Sequence, residues 1–564
     1  MYDTASRKDT LKKPLICMKN MIRLATVAAF AGVFMLSAAE VRQIKITDNY
    51  LTFPVSHQCD RVRINISGDG MAMLPVDIRL TDGPADYVTF KDVSALKGRK
   101  ITVSAPDGFK GLDAIGQSAQ IPGNDLIYKE TNRPQYHFTT RRGWINDPNG
   151  LIYYDGEYHL FYQHNPYERD WGNMHWGHAV SRDLVHWTEL APALYPDTMG
   201  AMFSGSAVID TNNDSGFGTK DNPAMVAAFT VDNPDRQIQC IAYSLDNGRT
   251  FTKYSGNPVI DTKEKWDSHD TRDPKMFRYG DRWVLVLNER DGHSIYNSNN
   301  LRDWTFKSHI TGFWECPELF ELPVDGDKNN TMWVMYGASG TYMLGDFDGE
   351  KFTPTSGKHY YSTGSIYAAQ TINNMPASDG RRIQIGWGRI SHPGMDFNGM
   401  MLIPTELSLR TAKDGVRLVS KPVREIEELC VPAGSWTNLS QDKAAEVLAP
   451  FANEGSLRIR ATFSLSHATD AVLRLGKHRL FDYNMNSNTV NGVFYSPQDP
   501  TSTEITADIY LDRTSAEVFV DGGLYSYSMG RTVPLEDEAR FRLDGNRVTV
   551  KSLEVFTIPS VWQK

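Results

Sequence analysis

Apolar and polar residues alternate with a period of two in several separate stretches of the chain. Val62-Arg-Ile-Asn-Ile-Ser67 and Lys100-Ile-Thr-Val-Ser104 do so near the start, and Ile505, Ala507, Ile509 and Leu511 do so near the end. Period two marks strands with one buried face. The first runs, separated by Gly and Asp clusters, predict a small β-rich domain over residues 40–125. The later ones, followed by Val518 and Val520 around an Asp521-Gly522-Gly523 turn, predict a C-terminal β-sandwich over 430–564.

Between these regions a local pattern recurs: Ser181-Arg-Asp-Leu-Val-His-Trp187-Thr188, Ser244-Leu-Asp-Asn-Gly-Arg-Thr250-Phe251 and Ser298-Asn-Asn-Leu-Arg-Asp-Trp304-Thr305, with a degenerate copy at Gly345-Asp-Phe-Asp-Gly-Glu-Lys-Phe352-Thr353. Each copy follows a strand-like apolar run and sets a polar turn before an aromatic residue or Thr that can open the next strand. Intervals of 63, 54 and about 47 residues suit a four-stranded blade, which cannot bury both faces alone and therefore stacks on neighbours around an axis. The strand-rich run Ile383–Leu409, which lacks the hairpin pattern, makes a fifth unit. The expectation is an all-β chain: a five-bladed β-propeller over 132–420, flanked by the small N-terminal domain and the sandwich. The same Asp-Gly and Asn-Gly hairpins would also serve an ordinary antiparallel sandwich.

The extreme N-terminus changes the picture of where the protein works. Lys12, Lys13, Lys19 and Arg23 precede an uncharged run from Leu24 to Leu36 and the small residues Ser37, Ala38 and Ala39. This is the pattern of a signal peptide over residues 1–39, and the run is shorter than the roughly 20 residues a membrane helix needs. Export to the periplasm or the medium is expected, without a stable membrane span. Cleavage removes six basic and two acidic side chains and moves the formal net charge from −9 to −13. So acidic a chain repels polyanions, which argues against nucleic acid and for an uncharged polymer. The remaining cysteines, Cys59, Cys240, Cys316 and Cys430, are too dispersed for a zinc motif and too few for a disulfide scaffold; buried free thiols are expected.

The densest chemistry lies in Arg142-Gly-Trp144-Ile-Asn146-Asp147-Pro148-Asn149-Gly150, then Gln163, Trp171 and Met174-His175-Trp176-Gly177-His178. Asp-Pro-Asn-Gly alone reads as a type I turn. A turn does not explain why Trp144, Gln163, Trp171 and Trp176 crowd one blade, whereas a sugar site needs aromatic faces for the ring and polar groups for its hydroxyls. Two more carboxylates stand in marked contexts, Asp273 in Arg272-Asp273-Pro274 and Glu315 in Trp314-Glu315-Cys316-Pro317. With Asp147 they fall near the starts of units one, three and four, so that innermost strands could bring them to one mouth of the channel. Arg272 and Asp273 could equally form a structural ion pair, and Glu318 competes with Glu315. His175 and His178 at i, i+3 point to opposite faces of a strand and no carboxylate sits at ligand spacing, so they read as structural and no metal is expected. No phosphate loop, nicotinamide fingerprint or serine elbow implies a cofactor.

These motifs resemble glycoside hydrolase family 32, the invertases, inulinases and levanases. Trp144 to Gly150, Arg272 to Pro274 and Glu315-Cys316 match its Trp-x-Asn-Asp-Pro-Asn-Gly, Arg-Asp-Pro and Glu-Cys motifs in order and spacing. Phe203-Ser204-Gly205, Tyr367-Ala-Ala-Gln370, Ile385-Gly-Trp387 and Leu511-Asp-Arg-Thr-Ser-Ala-Glu-Val-Phe519 extend the similarity, which runs from about Asn132 to the C-terminus and omits the first domain. The resemblance implies a retaining glycosidase acting on fructosyl linkages of levan, inulin or sucrose. Asp147 would be the nucleophile, Glu315 the acid/base and Asp273 the transition-state stabiliser, with Arg272 orienting Asp273. Asn146, Gln163, Trp171, Phe203, Ser204, Arg272 and Trp387 would build the sugar pocket, with Tyr367 and Gln370 beside them. A retaining pair stands about 5–5.5 Å apart, close enough for an ionised Asp147 to raise the proton affinity of Glu315. The contrasting readings are an inverting arabinan or xylan glycosidase, which needs about 6.5–9.5 Å between its carboxylates, and a fructan-binding propeller without catalysis.

Overall fold

The computed structural model describes residues 39–465, 470–495, 502–532 and 539–562. The expected signal peptide therefore lies outside the described residues, apart from its last position. Among the described residues helix is confined to short segments, the longest being Gln441–Leu448, and everything else is strand, turn or coil.

The first strands form two small antiparallel sheets. Glu40–Lys45, Lys100–Ala105, Val62–Gly68 and Met71–Ile78 make one, and Tyr87–Asp92, Tyr50–Val55 and Gly116–Ser118 the other. Their alternating burial follows the period-two pattern: Leu51, Phe53, Ile64, Ile66, Val76 and Val103 are fully enclosed in one shared core while the residues between them stay near the surface.

From Gly143 onward, successive strands build antiparallel sheets in chain order. The first contains Gly143–Tyr154, Glu157–Asn165, His175–Ser181 and Trp187–Glu189; the second Ala201–Asp210, Ala224–Asp232, Gln237–Ser244 and Thr252–Lys253; the third Thr271–Tyr279, Arg282–Glu289, Gly292–Ser298 and Thr305–Thr311. Two further groups of four follow, Glu318–Val324 to Phe352–Pro354 and Ile366–Thr371 to Gly415–Pro422, joined through the parallel pair Val324 and Leu409. The leading strand of the first sheet neighbours that of the second, the second neighbours the third, and Ile366–Thr371 returns to Gly143–Tyr154. Phe397–Asn398 also adds to the edge of the first sheet, closing the sheets into a β-propeller.

The recurring sequence pattern is the hairpin between third and fourth strands. In each copy one side-chain oxygen caps the turn. Asp183 accepts from the N–H of His186 at 2.8 Å, Asp246 from Thr250 at 2.9 Å, Asn300 from Asp303 at 2.9 Å and Asp348 from Lys351 at 2.7 Å. Inner strands such as Ala224–Asp232 and Gly292–Ser298 are buried at nearly every position, because neighbouring sheets cover both faces. They consequently lack the period-two alternation of half-exposed strands: Ala224–Asp232 is apolar almost throughout, and Gly292–Ser298 encloses polar as well as apolar side chains.

Asp147-Pro-Asn-Gly is not a turn. It lies inside the strand Gly143–Tyr154, whose register slips after Ile145 and again after Asn149. At the second slip Gly150 adopts φ +53°, and a Cβ there would stand 2.8 Å from the Phe161 ring. Beyond the propeller, the sandwich consists of a seven-stranded and a five-stranded sheet. It is fastened to the propeller by the parallel pairing of Ser362–Gly364 with Tyr525–Gly530, and by His137, buried between Asp512 and Glu517 at 2.7 Å from each.

Candidate active site

Four leading strands share one irregularity. Pairing slips between Ile145 and Pro148, between Met202 and Gly205, between Arg272 and Lys275, and between Tyr367 and Gln370. The skipped positions include Asn146 and Asp147, Phe203 and Ser204, and Asp273. A bulge turns its side chains away from the pleat, which here directs them to the mouth of the channel instead of into a blade. Backbone strain marks the same place: Asp273, Glu315 and Cys316 adopt φ of +66°, +52° and +41°. Left-handed backbone at a residue other than glycine costs about 1–3 kcal/mol and persists where surrounding structure enforces it.

The result is a cleft of about 500 Å³ lined by Asn146, Asp147, Gln163, Trp171, Phe203 and Ser204 from the first two sheets, by Arg272, Asp273, Glu315, Tyr367 and Trp387 from the others, and by Asp232 and Gln237. Its size suits a sugar unit or two. A slightly larger cleft of about 530 Å³ lies around Lys275, Arg278, Trp333 and Arg382, but Glu321 is the one carboxylate on its walls, so it offers no acid and nucleophile pair.

Each carboxylate is held. Asp147 Oδ2 accepts from Ser204 Oγ at 2.7 Å and Oδ1 from Asn146 Nδ2 at 3.1 Å; Asn146 is fixed in turn by Trp144 Nε1 at 2.8 Å. Glu315 Oε1 receives Arg272 Nη2 at 2.7 Å and Nε at 3.1 Å, while Oε2 receives the Tyr367 hydroxyl at 2.5 Å. Asp273 Oδ2 accepts the Cys316 N–H at 3.0 Å, and the Cys316 thiol lies 3.5 Å from Asp273 and 3.8 Å from Asp147. Arg272 does not bond Asp273, contrary to the expectation from the resemblance. The bulge at Asp273, with its left-handed backbone, turns that carboxylate to the Cys316 N–H, and the guanidinium reaches Glu315, Asp270 and Gln237 instead.

Aromatic rings wall the cleft. Trp171 meets Phe203 edge-to-face at 5.8 Å, and Trp387 does the same with Trp144 and Tyr367. The indole Nε1 of Trp387 has no acceptor among the described residues.

Crowding of acids in a poorly hydrated site shows in their titration. Burial lifts Asp147 above the ordinary carboxylate range, against the hydrogen bonds from Ser204 and Asn146, and Glu315 adds repulsion. Asp273 rises to about 7: burial dominates, the Arg272 charge opposes it, and Glu315 and Asp147 reinforce it. The Cys316 thiol is pushed well above its usual value by burial and by the same three carboxylates, so it remains protonated.

Asp273 therefore has a predictable effect on stability. A folded-state value of about 7 exceeds the unfolded value near 3.9, so between these pH values the folded chain binds more protons and loses stability as pH rises. Asp273→Asn removes that loss. Its unfolding free energy should match the parent's near pH 4 and exceed it increasingly up to pH 8, by at most about 4 kcal/mol. Chemical denaturation of both proteins across this range measures the gap, and a gap independent of pH would refute the assignment.

Several sequence candidates lie elsewhere. Glu318 is buried and paired with Lys275 at 2.8 Å and with Thr371, away from the cleft. Gln370 sits behind the wall, donating to the Gly205 carbonyl and accepting from the Leu151 N–H. His175 and His178 are buried and neutral, their desolvation holding both well below the usual histidine value; His178 contacts His159 at 3.1 Å. The four described cysteines are free, but of these only Cys240 is fully buried; Cys59, Cys316 and Cys430 are partly exposed. Asp232 and Gln237 escape sequence reasoning because no motif surrounds them. Gln237 joins the site by bridging Asp232 at 3.0 Å and Arg272 at 3.1 Å.

Comparison with known proteins identifies the family. The family model "Glycosyl hydrolases family 32 N-terminal domain" matches residues 137–422. A levanase of Bacillus subtilis is 40% identical over 492 residues, covering 77% of this chain and 72% of that protein. An extracellular exo-inulinase of Aspergillus niger is 32% identical over 519 residues, covering 77% and 96%. The crystal structure of the exo-inulinase from Aspergillus awamori superposes with a TM-score of 0.66 at 28% identity, over 77% of this chain and all of that one. The carboxylate-bearing strands, the motifs they carry and these relatives together place the chain in glycoside hydrolase family 32, a family of glycosidases.

Proposed function

We propose that the protein is an exported retaining glycosidase that hydrolyses β-D-fructofuranosyl linkages in fructans through a covalent fructosyl-enzyme. The observation that carries this reading is the meeting of Asp147, Asp273 and Glu315 in one aromatic-walled cleft. The names of the levanase and inulinase relatives support fructan as the substrate class, and the extracellular relative and the leader-like N-terminus support export.

Asp147 is the nucleophile. Ser204 and Asn146 hold its oxygens so that one lone pair faces the anomeric carbon, and the new C–O bond forms as the glycosidic C–O bond breaks. Glu315 gives its proton to the departing oxygen, which leaves as an alcohol. Water then loses a proton to Glu315 and attacks the anomeric carbon, releasing fructose and restoring the Asp147 carboxylate. Arg272 and Tyr367 fix the aim of Glu315 from either oxygen. Asp273 stabilises the oxocarbenium-like transition state through ring hydroxyls. Asn146, Gln163, Trp171, Phe203, Ser204, Arg272 and Trp387 form the terminal-sugar pocket, aromatic faces covering the ring and polar groups sorting its hydroxyls.

The fold behind this site is a five-bladed propeller over 132–420, with the fourth and fifth blades being the two groups of four strands joined at Val324 and Leu409. The sandwich takes 430–564 and the small domain 40–125.

Product chromatography after incubation with levan, inulin, sucrose and arabinan, with NMR of the first-formed anomer, tests the reading. Fructose or fructo-oligosaccharides released with retained configuration are expected. Cleavage of arabinan with inversion, or fructan binding without any cleavage, would overturn it.

A further inference from the structure

We infer that the N-terminal β-domain is a positioning element for the sugar pocket: it clamps the loop 166–173, which carries Trp171 to the cleft. The inference rests on the proposed role of Trp171 in holding sugar.

The loop, Pro-Tyr-Glu-Arg-Asp-Trp-Gly-Asn, connects Glu157–Asn165 to His175–Ser181. A polar loop of this kind normally runs over the surface and moves. Here it is enclosed by a domain that lies outside the family match, which begins at residue 137. Glu168 is completely buried, and its carboxylate is gripped by Arg61 at 2.5 Å and by Arg79 at 2.7 Å through both guanidinium and backbone N–H. Arg79 also reaches Asp170 at 2.9 Å. Tyr167 leaves the propeller to join the small domain's core, meeting Phe53 edge-to-face at 5.8 Å. Asn173 accepts from the Asp77 N–H at 2.7 Å and donates to the Asp77 carbonyl at 2.8 Å, while Thr89 donates to the Pro166 carbonyl at 2.5 Å.

Both ends and the middle of the loop are thus tied to the N-terminal domain, while Asn165, Met395 and Asn398 of the propeller hold the backbone of Asp170 and the Arg169 side chain and carbonyl from the other side. Trp171, between the two tied ends, is 52% exposed and touches the pocket through Phe203. A half-exposed indole cannot fix its own position by burial, so its backbone must be fixed from behind. Two arginines on one buried carboxylate, one of them also bonding Asp170, hold the loop from the side of the N-terminal domain.

The test is a double-mutant cycle on initial rates with a fructan that the parent hydrolyses. Arg79→Ala is expected to raise KM about tenfold with kcat little changed, within the range by which a misplaced pocket wall weakens an enzyme. Trp171→Ala should raise KM similarly, and the double variant should be no worse than Trp171→Ala alone, because Arg79 acts through the indole. Arg79→Lys, which retains a cation for Glu168, should recover most of the loss. Arg61→Ala runs the same cycle if Arg79→Ala does not fold. Additive effects in the cycle, or a folded Arg79→Ala with parental KM, would overturn the inference while leaving the pocket reading intact. An unchanged KM in Trp171→Ala would remove the pocket role of Trp171, and the inference with it.

Discussion

Asp147→Asn should reduce fructan hydrolysis by at least about 10⁴-fold, the scale seen when a covalent nucleophile is removed, and should not destabilise the protein. The amide cannot form the glycosyl ester, so neither half of the reaction proceeds, and binding by the aromatic walls alone gives no turnover. Stability runs the other way. Folding raises the Asp147 pKa, so the folded state disfavours the carboxylate at neutral pH, and replacing it with a neutral isostere removes that penalty. Asn146 can still donate to the new amide oxygen, and the Ser204 hydroxyl, which can also accept, can take the new N–H. Steady-state rates beside a thermal unfolding curve check both halves. Residual activity above about one per cent of the parent would exclude Asp147 as the nucleophile, since a lost nucleophile costs far more than that.

Glu315→Gln has a different signature, because the proposed mechanism uses this side chain in both steps. Loss of general acid catalysis is worth about 10²–10⁴-fold on a fructan, whose alkoxide leaving group needs the proton. An aryl fructoside needs no such help, so its first step should survive and its second stall for want of a base. The expected result is a burst of aryl alcohol equal to the enzyme concentration, followed by slow turnover that added azide accelerates, since the anion attacks the fructosyl-enzyme without deprotonation. Arg272 remains supported by Asp270 at 2.7 Å and by Gln237, so the substitution does not leave its charge unpaired. Equal loss on both substrates, with no burst, would show that Glu315 is not the acid/base.

Both experiments address residues that stand out in the sequence as marked carboxylates. Asp147, Asp273 and Glu315 each sit beside Pro or Cys in a context that ordinary turns and ion pairs do not require. Asp232 and Gln237 are not legible in this way: they lie at the facing ends of a hairpin, and only the position of Arg272 gives them a place in the site. The turn that Asp147-Pro-Asn-Gly suggests when read alone fails for a related reason. Local preference favours a turn there, but pairing with Glu157–Asn165 on one side and packing against the next sheet on the other hold it as a bulged strand. The orienting of Asp273 by Arg272 that the resemblance implies likewise fails, because the bulged, left-handed backbone at Asp273 turns its carboxylate to the Cys316 N–H while the guanidinium reaches Glu315.

What the sequence by itself determined is what depends on short-range order. The all-β class, the hairpin capped by Asp183, Asp246, Asn300 and Asp348, and the alternation in the two flanking domains follow from turn chemistry and from strands with one wet face. The tertiary structure alone decided how the leading strands meet, that their bulges aim Asp147, Ser204 and Asp273 into one cleft, and that Glu168 ties the N-terminal domain to the loop of Trp171. Such contacts join residues far apart in the chain, and their energies come from burial and charge pairing that exist only once the sheets have packed.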